Sequence, residues 1–289
     1  MKRVIIHGGC GAREAPSTPF VDYHNHLLPI VKEAYSFLET SNDAVATALL
    51  AAKMLEDDPI FNAGTGSRVQ QDAQIRMSAS FMDSINNKFS AVINIQNVRY
   101  PSEVAYELQK QHHSILAAEH ATNHAYQKLK MMPYSPMTQK RWDEYLELKK
   151  GLTGTIGVVV LDGEGRVCAI TSTGGAGFEV PGRVGDSPTV AGNFASSLMG
   201  VSCTGIGEQI VNKAVAAKVH TRVKDGMSLA EAVRRSIAES DADGDYVGLI
   251  AIDKDGNVET GTTSVAQTLY AYYDGIEFKS FYDKMQSDK

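Results

Sequence analysis

The sequence predicts an α+β protein in which stacked β-sheets carry helices on their outer faces. Two observations point there: strand-like runs fall in two groups along the chain, and each group is followed by paired helical runs. A third is size, since 289 residues with 43% hydrophobic content can bury a sizeable core.

Residues 2–7 form a short apolar strand that runs into a glycine-rich loop, His7-Gly8-Gly9-Cys10-Gly11. Two helices follow. One carries Leu27, Leu28, Val31, Tyr35 and Leu38 at helical spacing, and the next, after Ser41, carries Ala46, Leu49, Leu50 and Met54. The period then changes. Ile75, Met77, Ala79 and Phe81 alternate with Gln74, Arg76, Ser78 and Ser80, the pattern of a half-buried strand, and FSAVINI at 89–95 is its hairpin partner. Pro101 opens a further helix at its favoured first position, and residues 115–129 continue the helical pattern.

From 131 to 153 the pattern fades. This stretch holds two prolines and many charges and reads as a surface connection, partly helical, that tolerates a break in the chain. A strand at 155–161, a DGEG turn and a strand at 166–171 come next, then glycine-rich loops up to Glu208. Two helices follow, the second opened by a capping box of Ser228 and Glu231. Strands at 246–253, 257–262 and 268–273 close the chain, which has no internal repeat.

Composition excludes several classes. Twenty-eight basic against 34 acidic residues give a net charge of −6, and no Lys/Arg cluster offers the concentrated basic surface that nucleic acid requires. Cys10, Cys168 and Cys203 are odd in number and lack CxxC spacing, so neither a disulfide framework nor a zinc knuckle is indicated. The start, MKRVIIHGG, has too few apolar residues before His7 for the ~7–15 of a secretory core. Lys53 interrupts the longest apolar run before the ~18 residues of a membrane span. A soluble, cytoplasmic protein without a membrane partner is expected. The pair His24 and His26 lies on a helix where i and i+2 face apart, which disfavours joint metal ligation.

Glycine-rich loops recur at 7–11, 61–67 (FNAGTGS), 172–177 (STGGAG), 182–187 (GRVGDS) and 204–208 (TGIGE). A phosphate cradle is one use for such loops, but none is GxxxxGK[ST], and no GxGxxG sits between strand and helix with an acid ~20 residues on. Together with LEDDPIFNAGTGS at 55–67 and GTIG at 154–157, their order and spacing resemble the plant-type asparaginase and isoaspartyl peptidase family of N-terminal-nucleophile hydrolases. The resemblance runs nearly end to end. It implies a four-layer αββα sandwich, a single domain at 1–289, and self-cleavage between Gly154 and Thr155 into an α chain, 1–154, and a β chain, 155–289, with αβ units paired as a homodimer.

The residue types suit that chemistry. A mid-chain Thr155 hydroxyl can attack only the carbonyl just before it, and Gly154 leaves no Cβ in the way. Once cut, Thr155 carries its own base, because an α-amino group titrates near ~7.7–8.0 against ~10.4 for lysine. By resemblance the Thr204 hydroxyl and the Gly205 N–H are the oxyanion donors, Thr173 tunes the nucleophile and Asn62 lines the same pocket. Arg183 and Asp186 suit a zwitterion clamp: a guanidinium grips a carboxylate and a carboxylate accepts an ammonium. The resemblance assigns them to the α-carboxylate and α-amino group of an aspartyl substrate, with Gly205 and Gly207 beside them. His7 resembles the family histidine that shapes the cleavage site, and a satisfied structural histidine is the simpler account of it. No organic cofactor is implied. The 55–65 segment resembles a sodium-binding loop of backbone carbonyls, those of Leu55, Glu56, Asp58, Phe61, Ala63 and Thr65; carbonyl ligands leave no side-chain signature, and a plain turn looks the same.

The implied substrates are asparagine and β-aspartyl dipeptides, hydrolysed through an acyl-Thr155 ester. Alternatives stay open: a glycosylasparaginase, disfavoured by TGT in place of HDT before the nucleophile; an endopeptidase on the same scaffold; or an uncut homologue acting as a binding protein. The chain departs from relatives at Ser78 (MSA for MDA), at Val247 (Val-Gly for Gly-Gly) and over 264–269, where an MPRG-like stretch is missing. Those positions bear on substrate preference.

Overall fold

A computed structural model describes residues 1–13, 18–147 and 154–287 of the chain. In order its elements are β1 (Arg3–Ala12), α1 (Phe20–Ser41), α2 (Ala44–Asp57), β2 (Met77–Asp83), β3 (Ser90–Ile95), α3 (Pro101–Glu107), β4 (Ile115–Ala117), α4 (Ala118–Lys128), α5 (Gln139–Leu146), β5 (Ile156–Leu161), β6 (Val167–Thr173), β7 (Asn193–Ala195), β8 (Met199–Gly205), α6 (Gly207–Lys213), α7 (Val215–Lys224), α8 (Leu229–Ala242), β9 (Val247–Asp253), β10 (Val258–Thr262), β11 (Ala266–Tyr273), β12 (Phe278–Ser280) and α9 (Phe281–Ser287). They form an eight-stranded sheet, β12-β11-β1-β5-β6-β2-β3-β4, and a four-stranded sheet, β10-β9-β8-β7. Among the described strands only β3 and β4 pair in parallel; the other pairings are antiparallel.

The pleat sorts side chains among three cores. Val4, Ile6, Ile156, Val158, Val160, Cys168 and Ile170 face α1 and α2 on the outside of the large sheet. Ile5, Val159, Leu161, Val167 and Ala169, the alternate residues of the same strands, meet Ile250 and Ile252 between the sheets. Val247, Leu249 and Ala251 join Met199, Val201 and Cys203 beneath α7 and α8. Three apolar layers between four structural layers are the αββα sandwich.

This stacking also corrects the expected half-buried strand at 74–83. All seven residues of β2 are buried, because its polar alternates Ser78 and Ser80 face the second sheet rather than water. Residues 115–117 are not helical but form the edge strand β4, and α4 begins only at Ala118. The loops expected up to Glu208 contain β7 and β8, whose small residues carry little strand signal: a Cβ on Gly200 would lie 2.7 Å from Val167 and 2.8 Å from Val159. Three helices, not two, follow. At α8 the Ser228 hydroxyl accepts the Glu231 N–H, half of the expected box, while the Glu231 carboxylate binds Arg234. The C-terminal β12 and α9 had no counterpart in the pattern.

His24 and His26 do diverge, His24 bonding Ser280 and His26 bonding Asp58. The three cysteines are buried, and no disulfide joins them. No helix among the described residues is long and apolar enough to cross a membrane.

Towards one end of the inter-sheet layer, polar residues replace valine and isoleucine. His7 on β1, Thr171 on β6 and Ser202 on β8 form a buried chain, with His7 Nε2 3.0 Å from Ser202 Oγ, which lies 2.6 Å from Thr171 Oγ1. Gly157 on β5 leaves the space: a Cβ there would sit 2.1 Å from both His7 Nε2 and Ser202 Oγ. Gly157→Ala is therefore expected to destabilise the protein by about 1–3 kcal/mol, the usual cost of overpacking. The denaturation midpoint in urea reads this out, and an unchanged midpoint would contradict the packing described.

Candidate active site

The strands end where this polar seam opens to solvent, and the expected residues gather there. The peptide oxygen of Gly154, just before β5, accepts two hydrogen bonds, from Asn62 Nδ2 at 2.9 Å and from Thr173 Oγ1 at 2.8 Å. Thr173 Oγ1 in turn accepts the Gly175 N–H at 3.1 Å and, at 3.5 Å, the Thr155 hydroxyl. Thr155 and Thr173 come together because β5 and β6 are antiparallel neighbours with Ile156 opposite Ser172. Gly154 must be glycine: a Cβ there would lie 2.6 Å from Asn62 Cβ. Asn62 is itself fixed, its Nδ2 also donating to Gly175 O and its Oδ1 accepting the Arg68 N–H at 2.8 Å.

The glycine-rich stretch 7–11, expected as a loop, instead continues β1 through a bulge between His7 and Cys10 and lies against the bond, with Gly9 at φ +117° and its Cβ position 3.4 Å from Thr155 O. His7 is buried and neutral. Desolvation drops its pKa to about 3, against a raising hydrogen bond with the Thr155 backbone, so it shapes the site and carries no charge.

Gly154, Thr155 and Thr173 form one wall of a small cleft of about 60 Å³, and Arg183, Asp186, Gly205, Gly207 and Glu208 form the other. Arg183 is already gripped: Nε and Nη2 lie 2.8 and 2.6 Å from the two oxygens of Glu208, and Nη1 is 3.6 Å from Glu179. Asp186 is the opposite case. It is buried, its Oδ2 has no hydrogen-bond partner, and desolvation lifts its carboxyl to about 7. The Asp186 and Ser187 backbone N–H groups and Arg183 offset that burial only in part, which leaves in the cleft wall a carboxyl suited to a cation. Gly205, at φ +144°, lines the cleft, whereas Thr204 beside it does not; the Thr204 hydroxyl is fully buried without a partner, between the sheets. Asn62 likewise stays behind the wall, reaching the cleft only through Gly154 O.

Sequence reasoning missed Glu179 and Glu208 as holders of Arg183, although Glu208 closes the TGIGE motif. It also missed the side chain of Glu56, whose carboxylate accepts Ser102 N–H, Ser102 Oγ and Ser172 Oγ and so ties α2 and α3 to the residue preceding Thr173. Burial lifts that carboxyl to about 7 despite these donors. The departures noted in sequence lie off the cleft wall. Ser78 pairs with Thr173 across the β2–β6 ladder and accepts the Asn94 N–H, and Val247 is a core residue. Gln267 and Thr268 line a separate cleft of about 210 Å³ with Arg13, Tyr270 and Lys284.

The 55–65 loop has the oxygen-only donors that suit a hard cation. Its carbonyls crowd inward: a Cβ on Gly64 would lie 2.3 Å from Glu56 O, and one on Gly66 2.6 Å from Pro59 O and 2.9 Å from Phe61 O. Glu56 O and Asp58 O also accept the N–H groups of Thr65 and Phe61, which leaves each a second lone pair.

A two-sheet sandwich with a threonine at the mouth of a central strand, facing fixed donors and a charged clamp, is the architecture of an N-terminal-nucleophile hydrolase. The chain belongs to the asparaginase family, whose model matches residues 1–153 and 144–281. It is 39% identical to an isoaspartyl peptidase/L-asparaginase of Synechocystis sp., over 94% of this chain and 88% of that protein. It is 36% identical to the isoaspartyl peptidase of Escherichia coli, over 88% of each, and 35% identical to a plant-type L-asparaginase of Pyrococcus horikoshii, over 96% of this chain and 98% of that one.

Asp186 makes the site a liability to the fold. Its carboxyl ordinarily ionises near 3.8 but near 7 when folded, so between about pH 4 and 7 the native state binds the extra proton and loses stability as pH rises. Asp186→Asn is neutral throughout. It is expected to exceed the wild type in stability at pH 8 by an order of 2–4 kcal/mol, with the gap closing towards pH 4. Chemical denaturation at both pH values measures this, and equal stabilities at pH 8 would mean the carboxylate is compensated.

Proposed function

We propose that this chain cuts itself between Gly154 and Thr155 and then hydrolyses L-asparagine and β-aspartyl dipeptides with the freed Thr155. The observation that carries the proposal is the Gly154 oxygen under two donors with the Thr155 hydroxyl next in the same hydrogen-bonded chain. Attack by Thr155 Oγ1 on the Gly154 carbonyl puts negative charge on that oxygen, where Asn62 and Thr173 already donate. The new C–O bond forms as the C–N bond breaks, the proton passes to the departing amine, and water then hydrolyses the ester to leave a Gly154 carboxylate.

In the matured site the Thr155 amine takes the hydroxyl proton as Thr155 attacks the side-chain amide of the substrate, then delivers it to the leaving ammonia or amino acid. Gly205, which lines the cleft, offers its N–H to this second oxyanion, and the partnerless Thr204 hydroxyl, buried behind it, becomes the second donor only once it turns towards the cleft. Asp186 pairs the substrate ammonium and Arg183 its α-carboxylate, which accounts for an otherwise costly unpaired carboxylate in the cleft. Water releases aspartate from the acyl-Thr155 ester. Sodium held by the carbonyls of Leu55, Glu56, Asp58, Phe61, Ala63 and Thr65 would stiffen the loop that carries Asn62 and takes no chemical part. The working unit of this reading is a homodimer of αβ units in the cytoplasm.

Mass spectrometry of incubated wild type should show fragments 1–154 and 155–289, and Thr155→Ala should stay whole and inactive on asparagine and β-aspartyl-leucine. A variant still split at that bond would refute the assignment. In cleaved Asp186→Asn, KM for asparagine should rise about 30-fold or more, the ~2 kcal/mol or more of a lost charge-assisted bond, and steady-state kinetics with an unchanged KM would remove Asp186 from the clamp.

A further inference from the structure

Residues 134–141 of the connection between the two halves, read from composition as a surface connection, are packed into the site's surroundings. Residues 134–141 lie against the 61–66 loop and satisfy it at several points. Gly66 donates its N–H to Pro136 O at 3.0 Å and accepts Arg141 Nε on its carbonyl at 2.5 Å. The Thr65 and Tyr134 hydroxyls are 2.7 Å apart. Arg141 Nη2 reaches Phe61 O at 3.5 Å, while Nη1 binds Glu144 at 2.8 Å. Arg141, on α5, is only 4% exposed, although it comes from a charged run that reads as solvated surface.

Phe61 and Gly66 bracket Asn62, the residue whose amide bonds the Gly154 oxygen. We infer that Arg141 is a positioning residue for self-cleavage: by clamping both ends of the 61–66 loop it aims Asn62 at the carbonyl that Thr155 attacks. The inference rests on the self-cleavage proposed above. The chain itself supplies the clamp, since α5 lies in the segment that leads to the bond to be cut, so the loop that stabilises the reaction is braced by the fragment the reaction releases as a new C-terminus. A guanidinium suits the task. Its planar donors span two carbonyls at fixed separation, which a flexible ammonium cannot do. Small displacements of an oxyanion donor are costly in rate, so loss of the brace should be read in the cleavage step.

The test follows the uncut fraction of the full-length chain by mass spectrometry over time. Arg141→Met, which keeps the length of the side chain and removes its donors, is expected to slow cleavage about 10–100-fold. Arg141→Lys should recover part of the rate, and Tyr134→Phe should have a smaller effect than Arg141→Met. Cleaved Arg141→Met, once isolated, should keep wild-type KM for asparagine, because Arg141 touches no wall of the cleft. Arg141→Met cutting at the wild-type rate overturns the inference. So does a rate loss that Arg141→Lys fails to relieve at all and that tracks a matching fall in melting temperature, since that is a structural role only. If Arg141→Met does not fold, Arg141→Lys against wild type carries the comparison, with equal rates again overturning the inference. A wild-type chain that never cuts removes self-cleavage itself, and this inference with it.

Discussion

Two hydrogen bonds converge on one peptide oxygen, that of Gly154, and the surrounding structure is arranged to bring them there. Thr173 arrives on β6 because the antiparallel β5–β6 pairing sets it beside the start of β5. Asn62 arrives on a glycine-rich loop after α2 that is held by its own turns, by Gly174 N–H on Asn62 O and by the segment at 134–141. The oxygen thus joins elements from both halves of the chain. A preorganised pair of donors costs no rearrangement at the moment charge develops, which is why such geometry belongs to catalysis rather than to packing.

The same end of the molecule is where the fold gives up stability. Most of the space between the sheets is filled by valine, isoleucine and alanine, which favour burial without polar partners. At the site the alternate positions are His7, Thr171, Ser202 and Thr204, and beyond them lie Asp186 and Glu56, both buried and both lifted towards neutrality. Some are satisfied in pairs; Thr204 Oγ1 and Asp186 Oδ2 are not. An incompletely paired carboxyl in a cleft wall, as at Asp186, is costly alone and favourable once a complementary ligand arrives, so there the destabilisation and the binding capacity have one origin.

Legibility varied with the range of the interactions. Helices with a clear apolar stripe, such as α1, α2 and α8, and strands that are short continuous apolar runs between turn residues, such as β5 and β9, were visible because their pattern is local. β8 was hidden because Gly200, Ser202, Cys203, Thr204 and Gly205 interrupt its apolar run of Met199 and Val201, and Gly200 has no side chain there, so that the two sheets can approach. β4 resembled the start of a helix because an exposed three-residue edge strand has no burial pattern of its own. For the site, the glycine motifs named Thr155, Thr173, Arg183, Asp186, Thr204 and Gly205, but nothing local marks Glu56, Glu179 or Arg141 as buried charges.

What the residue order settles is therefore the chemistry: a threonine preceded by a glycine, a pair of opposite charges three apart, and small residues where backbones must come close. These are properties of single side chains and their immediate neighbours. What folding adds is adjacency. It decides that Asn62 and Thr173 meet on one oxygen, that Arg183 is already clasped by Glu208 while Asp186 Oδ2 keeps no partner, and that an arginine from a charged connection is buried against the 61–66 loop. Each pairs groups far apart along the chain, and only the stacking of two sheets fixes the distance between them.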